Sequence, residues 1–172
     1  MAVETRKAAA ITNRDATPAV FSNASVAKGS LLEAVGVVEV ANGDSIGSKY
    51  VFFSIPSNAR VSRMLLSSDA IAASGAGDIG IYQTTANGGA VVDADFFASA
   101  QVLTAALVNT DITHEADAAD AGAGFGLADV EKPLWQALGL TSDPVRDYDV
   151  VMTVTTATGG AGTVALKGSY TI

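Results

Sequence analysis

A chain of 172 residues and 17.3 kDa is the size of one ordinary domain, long enough to bury roughly 70% of its unfolded surface without metal or disulfide staples. It has no cysteine, which excludes disulfides, thiolate metal sites and cysteine nucleophiles together. Ten Lys and Arg stand against 18 Asp and Glu, for a net charge of −8, so a partner bound mainly through phosphates is repelled and nucleic acid is not expected. Charged residues are 16% of the chain, apolar ones 49% and aromatics 6%. Alanine and 17 glycines therefore carry much of the remainder. That balance points to close backbone packing and a lightly polar surface, which suits assembly better than solution chemistry.

Residues 1–30 mix Ala, Thr, Ser and Asn with scattered charges and show neither a period of 2 nor one of 3.6. Arg6, Lys7, Arg14 and Lys28 stand there against Glu4 and Asp15. The segment reads as an extended N-terminal arm, followed by one β-sandwich domain over 31–172. Its first twelve residues lack the apolar run of a signal peptide, and no stretch is long and apolar enough to cross a membrane, so no membrane partner is expected. Asn23-Ala24-Ser25 matches a glycosylation triplet by chance in that context. Ser25-Val26-Ala27-Lys28 matches the Ser-x-x-Lys of penicillin-recognising enzymes, but its companion Lys-Thr-Gly is missing.

From Leu31 the pattern turns to strands. Leu31–Val40 is β-rich and ends at the turn cluster Asn42-Gly43-Asp44. Lys49–Ile55 is stopped by Pro56-Ser57-Asn58, and Arg60–Leu66 and Ile79–Gln83 follow. Gly75-Ala76-Gly77-Asp78-Ile79-Gly80 has the spelling of a dinucleotide fingerprint, yet it sits before a strand with no βαβ unit, so a turn is predicted. Asp93–Leu107, rich in Ala, is taken as a helix, as is Lys132–Leu140, where Pro133 suits a first turn and Gly139 a stop. The second is expected to plug one end of a sheet stack.

The clearest strands are the last two. Asp147–Thr155 puts Tyr148, Val150, Met152 and Val154 on one face, and Thr163–Ile172 puts Val164, Leu166, Gly168, Tyr170 and Ile172 on one face. The Gly-rich link 157–162 is expected to close them into an antiparallel hairpin. Strands with short turns and little helix give the fold class: mainly β, an antiparallel sandwich or jelly roll with one or two short helices.

Catalytic signatures are scarce. His114 is the one histidine, and near it lie Asp111, Glu115, Asp117 and Asp120. Such an oxygen-rich loop can take Ca²⁺, but the spacing is not that of an EF-hand and no Gly stands at the turn. A solvated acidic loop is the expected reading and a cation site the alternative. The Gly-rich runs at 122–126 and 159–162 lack the Lys-Ser/Thr of a phosphate loop. No nucleophile is paired with a base by spacing, so no enzyme, cofactor or metal is expected. From Met64 to Glu131 the chain holds no Lys or Arg and ten acids, setting a basic arm against an acidic body.

Three stretches resemble a known family: Pro133–Pro144 (PLWQALGLTSDP), Tyr148–Leu166 (YDVVMTVTTATGGAGTVAL) and Phe52–Leu66 (FFSIPSNARVSRMLL). Together they resemble the capsid decoration, or cement, proteins of tailed bacteriophages over roughly Ser48–Ile172. The resemblance implies a β-sandwich, often jelly-roll-like, set on the outer surface of a virion as a trimer, with the major capsid protein as partner. It carries no catalytic residues. Arm contacts through Arg6, Lys7, Arg14 and Lys28 are read from charge alone, since the arm lies outside the matched region. A glycan-binding module is the alternative and needs an exposed aromatic platform. A head-fibre or tail part of the virion is another.

Overall fold

The computed structural model describes residues 6–21, 29–71, 73–114 and 124–172. Among these residues a short helix, α1 (Ala9–Arg14), precedes eight strands. These are β1 (Leu31–Val40), β2 (Lys49–Pro56), β3 (Arg60–Ser68), β4 (Ala76–Gln83), β5 (Val91–Val102), β6 (Leu107–Asp111), β7 (Asp147–Thr156) and β8 (Gly162–Thr171). A one-turn helix, α2 (Leu134–Ala137), lies between β6 and β7. Two four-stranded sheets form, in the orders β1-β8-β3-β6 and β2-β7-β4-β5, and every pairing is antiparallel. Within that order β1 pairs β8, β2 pairs β7, β3 pairs β6 and β4 pairs β5. This is a long hairpin folded across two sheets, a topology compatible with a jelly roll.

The core fills the space between the sheets. Ile55, Met64, Leu66, Ile79, Ile81, Val150, Met152, Val164 and Leu166 are fully buried there. Tyr148, Val150, Met152 and Val154 do share the buried side of β7, as their alternation predicts. Val151 is buried as well, on the opposite side.

Four details differ from the sequence reading. β7 and β8 are not a hairpin: they belong to opposite sheets, and the Gly-rich link crosses the open end of the sandwich. Two strands that each bury one face can meet through those faces as readily as side by side, and alternation alone does not distinguish the two. The link is pinned where Thr158 N donates to Asp44 O at 3.1 Å and Gly159 N to Ser74 O at 2.8 Å.

Asp93–Leu107 is not a helix. Most of it lies in β5, and its last residue opens β6, because the waiting edge of β4 supplies a ladder that outweighs alanine's helix propensity. Gly77 and Gly80 are strand residues rather than a turn. Ile79 faces Ala98 while Ile81 faces Asp93, so β5 bulges across Gly80. The bulge drives Phe96 and Phe97 into the core, their rings 5.0 Å apart and Phe125 5.8 and 6.0 Å away. Lastly, the arm is not extended throughout: the Ala8-Ala9-Ala10 run starts α1, whose first turn is reinforced by Thr12 Oγ1 bonding Ala8 O at 3.2 Å.

The Lys132–Leu140 helix is present in shortened form. Pro133 caps α2 with φ −66°, and Gly139 takes the left-handed φ of +74° that ends it. Leu134 N donates to Ala59 O at 2.7 Å and Trp135 N to Ser57 O at 3.0 Å, so α2 hangs on the β2–β3 turn with Leu134 fully buried. A side chain of that size contributes about 2 kcal/mol by its burial, which plugs this end of the sandwich.

Candidate functional site

The arm joins the domain at Leu31, which pairs Thr171, itself paired on its other side with Arg60 at the end of the β2–β3 turn. Its charges are partly spent within the arm. Lys7 Nζ lies 2.7 Å from one Asp15 oxygen and Arg14 Nε 2.8 Å from the other, and these two donors, Arg14 first, hold the Asp15 carboxyl below the usual range. Arg6, Lys7 and Arg14 against Asp15 still leave the described arm at +2. Lys28, the fourth cation expected at this site, lies outside the described residues, as do Ser25 and Asn23.

What the charge pattern missed in the arm is apolar. α1 buries none of its side chains, Phe21 is 99% exposed and Val20 is 54% exposed. The bonds of Thr12, Asp15, Ala16 and Val20 stay inside the arm. A lone Phe in a run of small polar residues was the signal available in the sequence.

The loop entering β7 adds a second feature at the same end. Asp143 Oδ1 accepts from Ser57 Oγ at 2.5 Å and from Val145 N at 2.8 Å, and Ser57 N donates to Arg146 O at 2.8 Å. Held this way, Val145 takes φ +50° with its side chain 84% exposed. A β-branched residue there costs of order 1–3 kcal/mol, and nothing in its sequence neighbourhood announces it.

The polar groups with chemical potential serve structure. Tyr50 hydroxyl donates to Asp44 Oδ2, and burial together with that carboxylate pushes its pKa up to about 12. Asp44 also accepts from Ala41 N at 2.8 Å, locking the β1–β2 turn. Burial raises the Asp111 carboxyl, but bonds from Thr113 Oγ1 and N, with Arg63 and His114 nearby, outweigh it and hold the group below its usual value. His114 stacks on Phe125 with centroids 5.7 Å apart. Glu115, Asp117 and Asp120 lie outside the described residues. Among the described residues no three carboxylate or imidazole groups gather as a metal site. Trp135, Tyr50 and Tyr170 are half-buried, and Tyr82 and Tyr148 buried, so the described chain presents no exposed Trp or Tyr platform.

The arrangement is thus two packed sheets with an outlying, partly basic arm. The same fold is found in a phage capsid. The chain is similar to a chain of the cyanophage Pam1 capsid asymmetric unit, with a TM-score of 0.51 and 18% identity, over 84% of this chain and 86% of that one. At that identity the likeness is one of fold. No protein-family model matches the sequence, and no curated protein matches it.

Proposed function

We propose that the chain is a non-enzymatic structural protein of a bacteriophage virion. It binds the outer surface of the capsid, with the major capsid protein as its partner, and stabilises the assembled shell as a trimer. The observation that carries this reading is the two-sheet fold, shared with a chain of a cyanophage capsid over 84% of this one. The resemblance of Phe52–Leu66, Pro133–Pro144 and Tyr148–Leu166 to decoration proteins supports it from the sequence side.

The physical logic is linkage. A protein that binds only the assembled shell stabilises that state in proportion to its occupancy. A multimer touching several shell subunits gains avidity, so each contact can be modest. The arm is the shell contact in this reading: Arg6, Lys7, Arg14 and Lys28 supply charge, and Val20 and Phe21 supply exposed apolar surface. Its ordering cost is met when it binds.

Deleting residues 1–28 separates the two roles. The expected product is a folded domain whose melting temperature stays within a few degrees of the parent, because α1 buries nothing. Its occupancy on shells lacking the protein, measured by co-sedimentation, falls at least tenfold. Wild-type occupancy removes the arm from the account.

A further inference from the structure

The outer faces of the two sheets differ in kind. The β2-β7-β4-β5 sheet carries Asp78, Asp147 and Asp149 outward, while Lys49 at its margin lies over the Tyr82 ring at 4.6 Å. A face so dominated by one sign repels a copy of itself. The β1-β8-β3-β6 sheet is bordered by β1, whose ten residues pair β8 in unbroken register. Among the described residues its other edge pairs with no strand, and on its inner side Gly36 lies against the β2 backbone at Phe52. Along β1, Leu31, Val35 and Val37 are 63%, 51% and 61% exposed, alternating with the exposed Glu33 and Glu39. The strand has no proline, lysine or bulge, and Glu33 and Glu39 are the charges that guard it.

The charges around this apolar row are sorted by strand. Register places Lys167 of β8 beside Val35 and Ser169 beside Glu33, with Arg63 of β3 beyond Ser169, where it lies 3.9 Å from Asp111 of β6. Lys167 and Arg63 are both exposed. Acids therefore line the edge and bases stand one and two strands behind it, with the apolar row on the edge strand itself. A surface divided in this way offers two unlike strips: the apolar, acidic edge of one copy can meet the bases behind the edge of the next, a head-to-tail contact of the kind that closes a ring of three.

We propose that the β1 side of this sheet is where copies of the chain meet, with Leu31, Val35 and Val37 packed against a second copy and Glu33 facing that copy's Lys167. The proposal deepens the multimer of the reading above, on which it rests, and names its surface.

Sedimentation velocity on the isolated full chain tests it. The parent is expected to associate, and the double variant V35K/V37K to raise the dissociation constant at least tenfold. Because both side chains point to solvent, its melting measured at a dilution where the parent is monomeric is expected to match the parent's. E33K and K167E are each expected to weaken association and, combined, to restore much of it. A parent that stays monomeric at all concentrations overturns the proposal, and so does undiminished association of V35K/V37K. Should V35K/V37K fail to fold, the charge pair decides: losses that add instead of cancelling overturn it. Shells are absent from this experiment, so a negative result here is separate from failure of capsid binding, which co-sedimentation reads.

Discussion

Gly80→Ala is expected to lower stability by about 3 kcal/mol or more, the upper end of what overpacking costs. A methyl group built on Gly80 overlaps the carbonyl oxygen of Asp93 and the backbone of Ala94, where β5 bulges across β4. Both obstacles are main chain, so no rotamer change relieves them. β5 must lift, and with it go Phe96 and Phe97, which the bulge holds in the core against Phe125. A domain of this size holds a total of order 5–15 kcal/mol, and each kcal/mol moves its melting temperature by about 2–4 °C. The parent and variant would therefore separate by about 6 °C at least. Gly43→Ala is the comparison: φ is +86° and nothing lies within 4 Å, so it is expected to cost about 1–2 kcal/mol of left-handed strain alone. If Gly80→Ala melts no lower than Gly43→Ala, β5 does not cross where the structure places it.

Removing Ser169–Ile172 is expected to be at least as damaging. β8 is an interior strand, flanked by β1 and β3. Thr171 faces Leu31 on one side and Arg60 on the other, Tyr170 faces Leu32 and Val61, and Ser169 faces Glu33 and Arg63. The truncation therefore strips ladder partners from two strands at once, at about 1 kcal/mol for each net hydrogen bond. It also removes Tyr170, which packs on the core. We expect a loss of about 4 kcal/mol or more by this count, read as a large drop in denaturant midpoint. Four residues cut from this end should thus cost far more than 28 cut from the other. Unchanged melting of the truncated chain would contradict the strand order.

Several strands were legible in the sequence almost to the residue. β1 occupies Leu31–Val40, and β7 begins at Asp147 as its pattern requires. α2 was legible from Pro133 and Gly139, which act through their own backbone angles. Failures came where a partner elsewhere in the chain decides the local structure. The Asp93–Leu107 stretch has helix-forming composition but lies along β4, and Gly77 and Gly80 are small because Met152 and the β5 backbone approach them. Whether β7 and β8 share a sheet is likewise set by pairing with β2, β4, β1 and β3, none of which their own alternation encodes. For the candidate site, charge flagged the arm cations but could not show that Asp15 engages two of them. Nor did it flag Phe21 or Val145, whose interest lies in their exposure and, for Val145, its backbone angle.

The proposed role is that of a structural component of a virion shell, and copy number tests it most directly. Particles purified from the source would be quantified for this chain against the main shell protein. A ratio comparable to the shell subunit is predicted, with the chain and the particle's thermal resistance lost together when it is stripped. Absence from the particle, or a handful of copies confined to a vertex, fibre or tail, would contradict it.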